Sequence, residues 1–164
     1  MKNNSWSNTL LVAFSSLPKI VKFIDFSVKS RVKSGFQSKH LRYGIQNEKL
    51  FESIIELNDE KRKICNLKVI VEGALEQLSP THTELLRLRF FDKNTFQEIA
   101  DITNVVIRTV FRRYDCAMED FDNVLSIAGY NEEWLEAEYG SIAIFKTIKD
   151  RLEKNAYLTK SSIE

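Results

Sequence analysis

The stretch from Thr95 to Tyr114, TFQEIADITNVVIRTVFRRY, leaves little freedom in how it folds. Thr95 and Glu98 stand three apart, the spacing at which each side chain caps the other's backbone amide and a helix begins. Phe96, Ile99, Ala100 and Ile102 then supply an apolar face, and Ala100 is small where two crossing helices need their backbones close. Thr103-Asn104 predicts a turn, because asparagine tolerates the left-handed conformation that ends a helix. A second periodic run follows in Val105, Val106, Val110 and Tyr114. Val106, Val110 and Tyr114 recur every four residues and are expected to share an inward face. Ile107, Arg108, Phe111, Arg112 and Asp115 are expected to point outward.

Two helices joined by so short a turn are the usual hairpin for docking on duplex DNA. The second helix of such a hairpin lies in the major groove, its early residues near base edges. Arg108 and Arg112 sit one turn apart on the expected outer side. A guanidinium pairs bidentately with guanine or clamps a phosphate, so arginine is the side chain that this task asks for. The alternative is an ordinary helical hairpin in a bundle whose arginines are merely solvated, and periodicity by itself does not separate the two.

With two prolines and five glycines in 164 residues, long stretches are free to be helical. The expected fold is therefore all-α, with no internal repeat. Cys65 and Cys116 lie far apart, His40 and His82 are isolated, and none matches a ligand spacing. No metal and no cofactor is expected, and both thiols are expected to be buried in a reducing cytosol. No apolar run is long enough to span a bilayer. Leu10 to Phe14 is interrupted at once by Ser15, Ser16 and Pro18, which does not read as a secretory signal. A cytoplasmic chain with no membrane partner is expected.

Net charge is +1, unevenly spread. Residues 1–71 hold thirteen lysines and arginines against six acids, +7; residues 72–127 hold six against ten, −4; residues 128–164 hold five against seven, −2. A basic segment of this kind can mark a surface for nucleic acid or an acidic partner. The hairpin segment itself is acidic, so its basic residues must be concentrated locally if it is to hold DNA.

In chain order, residues 1–8 are polar and expected to fray, and Leu10 to Phe14 is expected to open a short helix. Pro18 predicts a first helical position with Ser16 as its cap. Ile20, Val21, Phe23, Ile24, Val28 and Val32 then form an apolar face opposite Lys19, Lys22, Lys29, Arg31 and Lys33. That helix is read either as a basic element meeting a polyanion or as a core helix with a solvated lysine face. Residues 34–43 predict a loop. Asn47 then caps a long helix reaching Ser79, with a kink near Asn58 left open. Ser79-Pro80 is a strong start signal for the helix ending at Phe91. The second helix of the hairpin continues through Ala117, Met118, Phe121 and Leu125, either unbroken or with one break. Gly129 ends it. Asn131-Glu132-Glu133 caps a further helix, Ile142 to Leu152 forms the last, and disorder is expected from Thr159.

Leu75 to Leu125, roughly a third of the chain, resembles the promoter-binding region four of bacterial sigma factors. Leu78-Ser79-Pro80 stands where that family has a Leu-Pro helix start. Leu85-Leu86-Arg87-Leu88-Arg89-Phe90-Phe91 is similar to its leucine-arginine-aromatic helix. Thr95-Phe96-Gln97-Glu98-Ile99-Ala100 is similar to its Ser/Thr-aromatic-x-Glu-Ile-Ala signature. Thr109-Val110 and Arg113 fall at its Thr-Val and arginine positions. Two features depart from it: Asn104-Val105-Val106 replaces a Gly-Ile-Ser turn, removing the capping serine, and Asp115, Cys116, Glu119 and Asp120 occupy positions that are often basic.

The resemblance implies a sequence-specific, DNA-binding transcription regulator of sigma-like type. Arg108 and Arg112, with Ile107 and Phe111, would read bases; Arg113, Arg87, Arg89 and Lys93 would hold phosphates, with Thr109 beside them. Double-stranded DNA is the implied partner, and core RNA polymerase a further one if the chain is a true sigma factor. A stand-alone regulator is equally open, because no basic, aromatic-rich helix for opening DNA is found in the N-terminal part. The alternative is a protein-interaction module, for polymerase or another regulator, that keeps the fold and has lost DNA binding. An enzyme is not expected, as no phosphate loop, metal-ligand pair or nucleophile signature is present. The expected division is a basic helical region over 1–71, the helix-turn-helix domain over 72–127, and a helical extension over 128–164.

Overall fold

The computed structural model describes the backbone of residues 5–37 and 44–161, and the side chains of residues 6–35 and 48–154. Among the described residues there are eight helices and no strand: α1 (Ser5–Ser15), α2 (Leu17–Gln37), α3 (Gly44–Glu76), α4 (Pro80–Phe90), α5 (Phe96–Thr103), α6 (Ile107–Ile127), α7 (Glu132–Tyr139) and α8 (Ala143–Ser161). The all-α fold is as expected. Packing divides the chain into two compact units: one takes the residues up to Ser15 together with Lys68 onward, the other Ser16–Leu67.

The smaller unit pairs α2 with α3 up to Leu67. Lys61 Nζ binds Asp25 Oδ1 at 2.7 Å, and Arg31 donates to the Ser53 carbonyl at 3.1 Å. Partners rise in number on one helix as they fall on the other, so the two run antiparallel. Several expectations are corrected here. The helix persists through Ser34–Gln37, where a loop was expected, and residues 38–43 lie outside those described. Helix α3 begins at Gly44 rather than after Asn47 and carries no break at Asn58, whose amide donates to the Ile54 carbonyl at 3.0 Å. Phe23, expected on the apolar face, is 69% exposed, and Phe26 is 70% exposed. At 100° per residue they fall among Lys19, Lys22, Lys29 and Lys33, so this solvent face is both basic and aromatic.

The larger unit is organised around α6, whose Val110, Ala117, Met118, Phe121 and Leu125 are buried. That spacing of three, four and seven is the apolar stripe of an amphipathic helix. Leu85 and Leu86 of α4 and Ile99 and Ala100 of α5 are also buried, and both helices pack on α6. Ser79 caps α4 as expected, its hydroxyl accepting from the His82 amide at 3.3 Å. Asn131 caps α7 through the Trp134 amide at 2.9 Å. Gly129 leaves α6 with φ +88°, a conformation that side-chain-bearing residues rarely adopt.

Of residues 1–8, expected to fray, residues 5–8 are helical, and residues 1–4 lie outside those described. Helix α1 starts at Ser5, and Trp6, Leu10, Leu11 and Ala13 are buried. It packs on α8, α4 and α6. Trp6 Nε1 donates to Glu136 Oε2 at 3.0 Å, and Lys149 Nζ reaches the same oxygen at 2.7 Å while lying 4.8 Å from the Trp6 ring centre. The Lys149 hydrogen bond holds the Glu136 carboxyl below its ordinary range. Ser7 Oγ donates to Asp122, Tyr114 donates to Asn8 at 3.2 Å, and Phe14 meets Phe91 edge-on at 5.2 Å. Helix α8 runs to Ser161, past the expected onset of disorder at Thr159. Both cysteines are exposed, not buried: Cys65 directly follows buried Ile64 and Cys116 directly precedes buried Ala117, each one position off the inward stripe.

Candidate nucleic-acid interface

The hairpin forms where its capping signals place it. Thr95 Oγ1 accepts from the Glu98 amide at 3.2 Å, and Glu98 Oε2 accepts from the Thr95 amide at 2.6 Å. The Thr95 amide, and then the Thr95 hydroxyl at 2.9 Å, donate to this carboxylate, favour the charged acid and hold the Glu98 carboxyl below its ordinary range. Asn104 closes α5 at φ 53°, ψ 42°, the left-handed cap expected of it. Three residues later, at Ile107, α6 begins.

Val106 is the N-cap of α6, with φ −63° and ψ 138° and no side-chain cap bond. It was expected to face inward with Val110 and Tyr114, but it is 71% exposed. The reason is local: an extended residue lies outside the helix, so the four-residue spacing does not govern where its side chain goes. Ile102, also expected inward, is 57% exposed on the last turn of α5. The turn is thus flanked by two apolar side chains in water.

Along α6, Arg108, Phe111, Arg112, Asp115, Cys116 and Glu119 are exposed and share one face. Among the described residues, the side chains of Arg108 and Arg112 make no ion pair or hydrogen bond. Phe111 is partly held, its ring 4.5 Å from that of Phe96. Ile107 and Thr109 are half-buried, with the Thr109 amide donating to the Val106 carbonyl at 2.8 Å. Arg113 is half-buried on another side, in a small recess with Thr81, Glu84, Leu85, Thr103 and Val105. It does not share the face of Arg108 and Arg112.

Of the remaining basic residues, Arg87 and Lys93 are exposed. Lys93 has φ +60°, so its backbone turns sharply between α4 and α5. Arg89 is engaged within the fold: it donates to the Asn94 carbonyl at 2.9 Å and its guanidinium lies 4.5 Å over the Phe96 ring. Phe96 also meets Tyr114 at 5.1 Å, and Tyr114 lies 6.3 Å from Phe90. This aromatic chain, capped by Arg89, joins residues of α4, α5 and α6. Burial raises the Tyr114 phenol to about 12, so it stays a hydrogen-bond donor at neutral pH. Periodicity assigns Phe96 and Tyr114 to apolar faces, but the mutual stacking of Phe90, Phe96 and Tyr114 has no spacing signature.

A helix whose early turns carry free arginines, set by a capped turn against a supporting helix, has the geometry of a DNA-binding helix-turn-helix. Residues 74–119 match the family described as Sigma-70, region 4. This span is a sigma region four-like helix-turn-helix, a DNA-binding region of the sigma or regulator type, and it carries α4, α5 and the first half of α6. No curated protein and no solved structure matches the chain. No helix among the described residues is long and apolar enough to cross a membrane.

Proposed function

We propose that this chain is a sequence-specific transcription regulator, sigma factor-like, that reads promoter DNA with α6. Its role is binding rather than catalysis. The observation that carries the reading is the unpaired pair Arg108 and Arg112 on the exposed early face of α6, inside the span matching region 4. Arg108 and Arg112 contact base edges, with Phe111 and Ile107 against them; Arg87, Lys93 and Arg113 hold phosphates, with Thr109 beside them. Arg89 serves the turn first, through Asn94 and Phe96. Phosphate contacts set register and affinity, and base contacts set sequence.

The test is binding to a promoter library, measured for the full chain and for Arg108→Ala and Arg112→Ala. Each variant should lose about 5- to 150-fold on its preferred site, the range for one bidentate base contact. Equal preference profiles for all three proteins would remove these arginines as readers. Core RNA polymerase is the proposed second partner. Promoter-dependent transcription from core enzyme on adding the chain separates a sigma factor from a stand-alone regulator.

A second reading, an interaction module that no longer binds DNA, is favoured by Asp115, Glu119 and Asp120, all exposed on α6 beyond the arginines. A salt series decides between them, since genuine DNA binding weakens steeply as counterions are released.

A further inference from the structure

Val106 combines two unfavourable features at one position. It occupies the N-cap of α6 without a side-chain cap bond, where Ser, Thr, Asp or Asn would satisfy an otherwise unpaired amide and valine ranks among the poorest residues. It also holds an apolar side chain 71% in water. Neither feature helps the fold. Both fall at the tip of the helix that enters the groove, beside Ile102, which is 57% exposed across the turn.

The chemistry that would make use of such a tip is specific. In the major groove the one apolar group presented by a base pair is the 5-methyl of thymine. Other apolar side chains near the tip are less available: Ile107 is half-buried and the Phe111 ring rests against Phe96. We propose that Val106 is a specificity residue that reads a thymine methyl group where the N-terminus of α6 meets the DNA. The inference rests on α6 being the reading helix. It adds a non-polar contact to the arginine contacts and exchanges helix capping for base discrimination.

The experiment replaces thymine by uracil, which removes only the 5-methyl group. A duplex is selected from a randomised pool by the full-length chain, and each thymine of the selected site is replaced in turn. One position should lose about fourfold in affinity, the value of one buried methyl-sized group. In Val106→Ala that position should show no thymine–uracil difference, while binding to the uracil duplex is unchanged. Val106→Ser should behave like alanine in binding and raise the thermal midpoint by about 2–4 °C, because a cap is restored. The exposure of Val106 means that neither variant should disturb folding, which circular dichroism checks.

The outcomes separate the two readings. If the pool yields no preferred duplex, base reading by α6 fails and the thymine contact with it. If a site is selected but uracil binds as well as thymine everywhere, or the difference survives in Val106→Ala, the Val106 assignment alone is overturned. A partner protein seated on Val106 would show as that last result together with wild-type DNA affinity in the alanine variant.

Discussion

Asp122 keeps its proton up to about pH 7, first because it is half-buried and then because Glu132 and Glu119 place negative charge nearby. Ser7 of α1 donates to it. Its folded-state value lies above that of an unfolded aspartate, so the folded chain holds the proton more tightly. The stabilising contribution is complete below about pH 4 and is lost as pH rises through about 7. Asparagine mimics the protonated acid at every pH. The thermal midpoint of Asp122→Asn minus that of the native chain should therefore widen between pH 5 and pH 8; a constant gap would show that the carboxyl is already ionised at pH 5. Other single residues explain what sequence alone could and could not reveal. Asn104 was legible because its left-handed preference is intrinsic to its side chain. Val106 was not, because the four-residue spacing that places Val110 stops applying one residue before the helix starts. Cys116 was misjudged by a composition argument, whereas one helical position separates it from buried Ala117.

At the level of the element, α6 has its charges in an order that opposes its own dipole. Arg108 sits in the first turn, where a cation is disfavoured by about 0.3–1 kcal/mol, and the acids Asp115, Glu119, Asp120 and Asp122 follow toward the C-terminal half. An order that does not serve the helix is consistent with cations placed for a ligand. The exposed acids then act against that ligand through its phosphates. Asp115→Asn with Glu119→Gln should raise DNA affinity several-fold at low salt, lose most of that gain near 1 M salt, and leave base preference unchanged, because screening acts on charge and not on base edges. Altered preference would place these acids in base contact instead. The ends of α4, α5 and α7 were readable from Ser79-Pro80, Thr95 with Glu98, and Asn131, since caps are local chemistry. The start of α2 was readable within one residue from Ser16 and Pro18; its end and the ends of α3 were not, and α1 is held by tertiary packing. Phe23 shows the converse: an apolar residue assigned to a face by type rather than by angle lands on the wrong side.

For the molecule as a whole, the decisive arrangement joins distant parts of the chain. Trp6 meets Glu136 and Lys149, Asn8 meets Tyr114 of α6, and Phe14 meets Phe91. No periodicity announces such pairings; the charge profile suggested that residues 1–15 go with the basic segment after them, whereas they complete the unit that holds the helix-turn-helix. Burying Trp6, Leu10 and Leu11 contributes roughly 1.5–3 kcal/mol each as an upper estimate. That sum approaches the ~5–15 kcal/mol by which whole domains are stable. A chain starting at Ser16 should consequently lose cooperative thermal unfolding and DNA binding together; retention of both would reduce α1 to an ornament of the surface. The same arrangement bears on how the protein is made. A ribosome releases α1 first and Phe145, on the helix α1 packs against, about 130 residues later, a delay of roughly 6–26 s at ordinary elongation speeds. Through that interval the first helix can meet α4 and α6 but not α8, its most extensive neighbour, so an interrupted translation product carries an incomplete core.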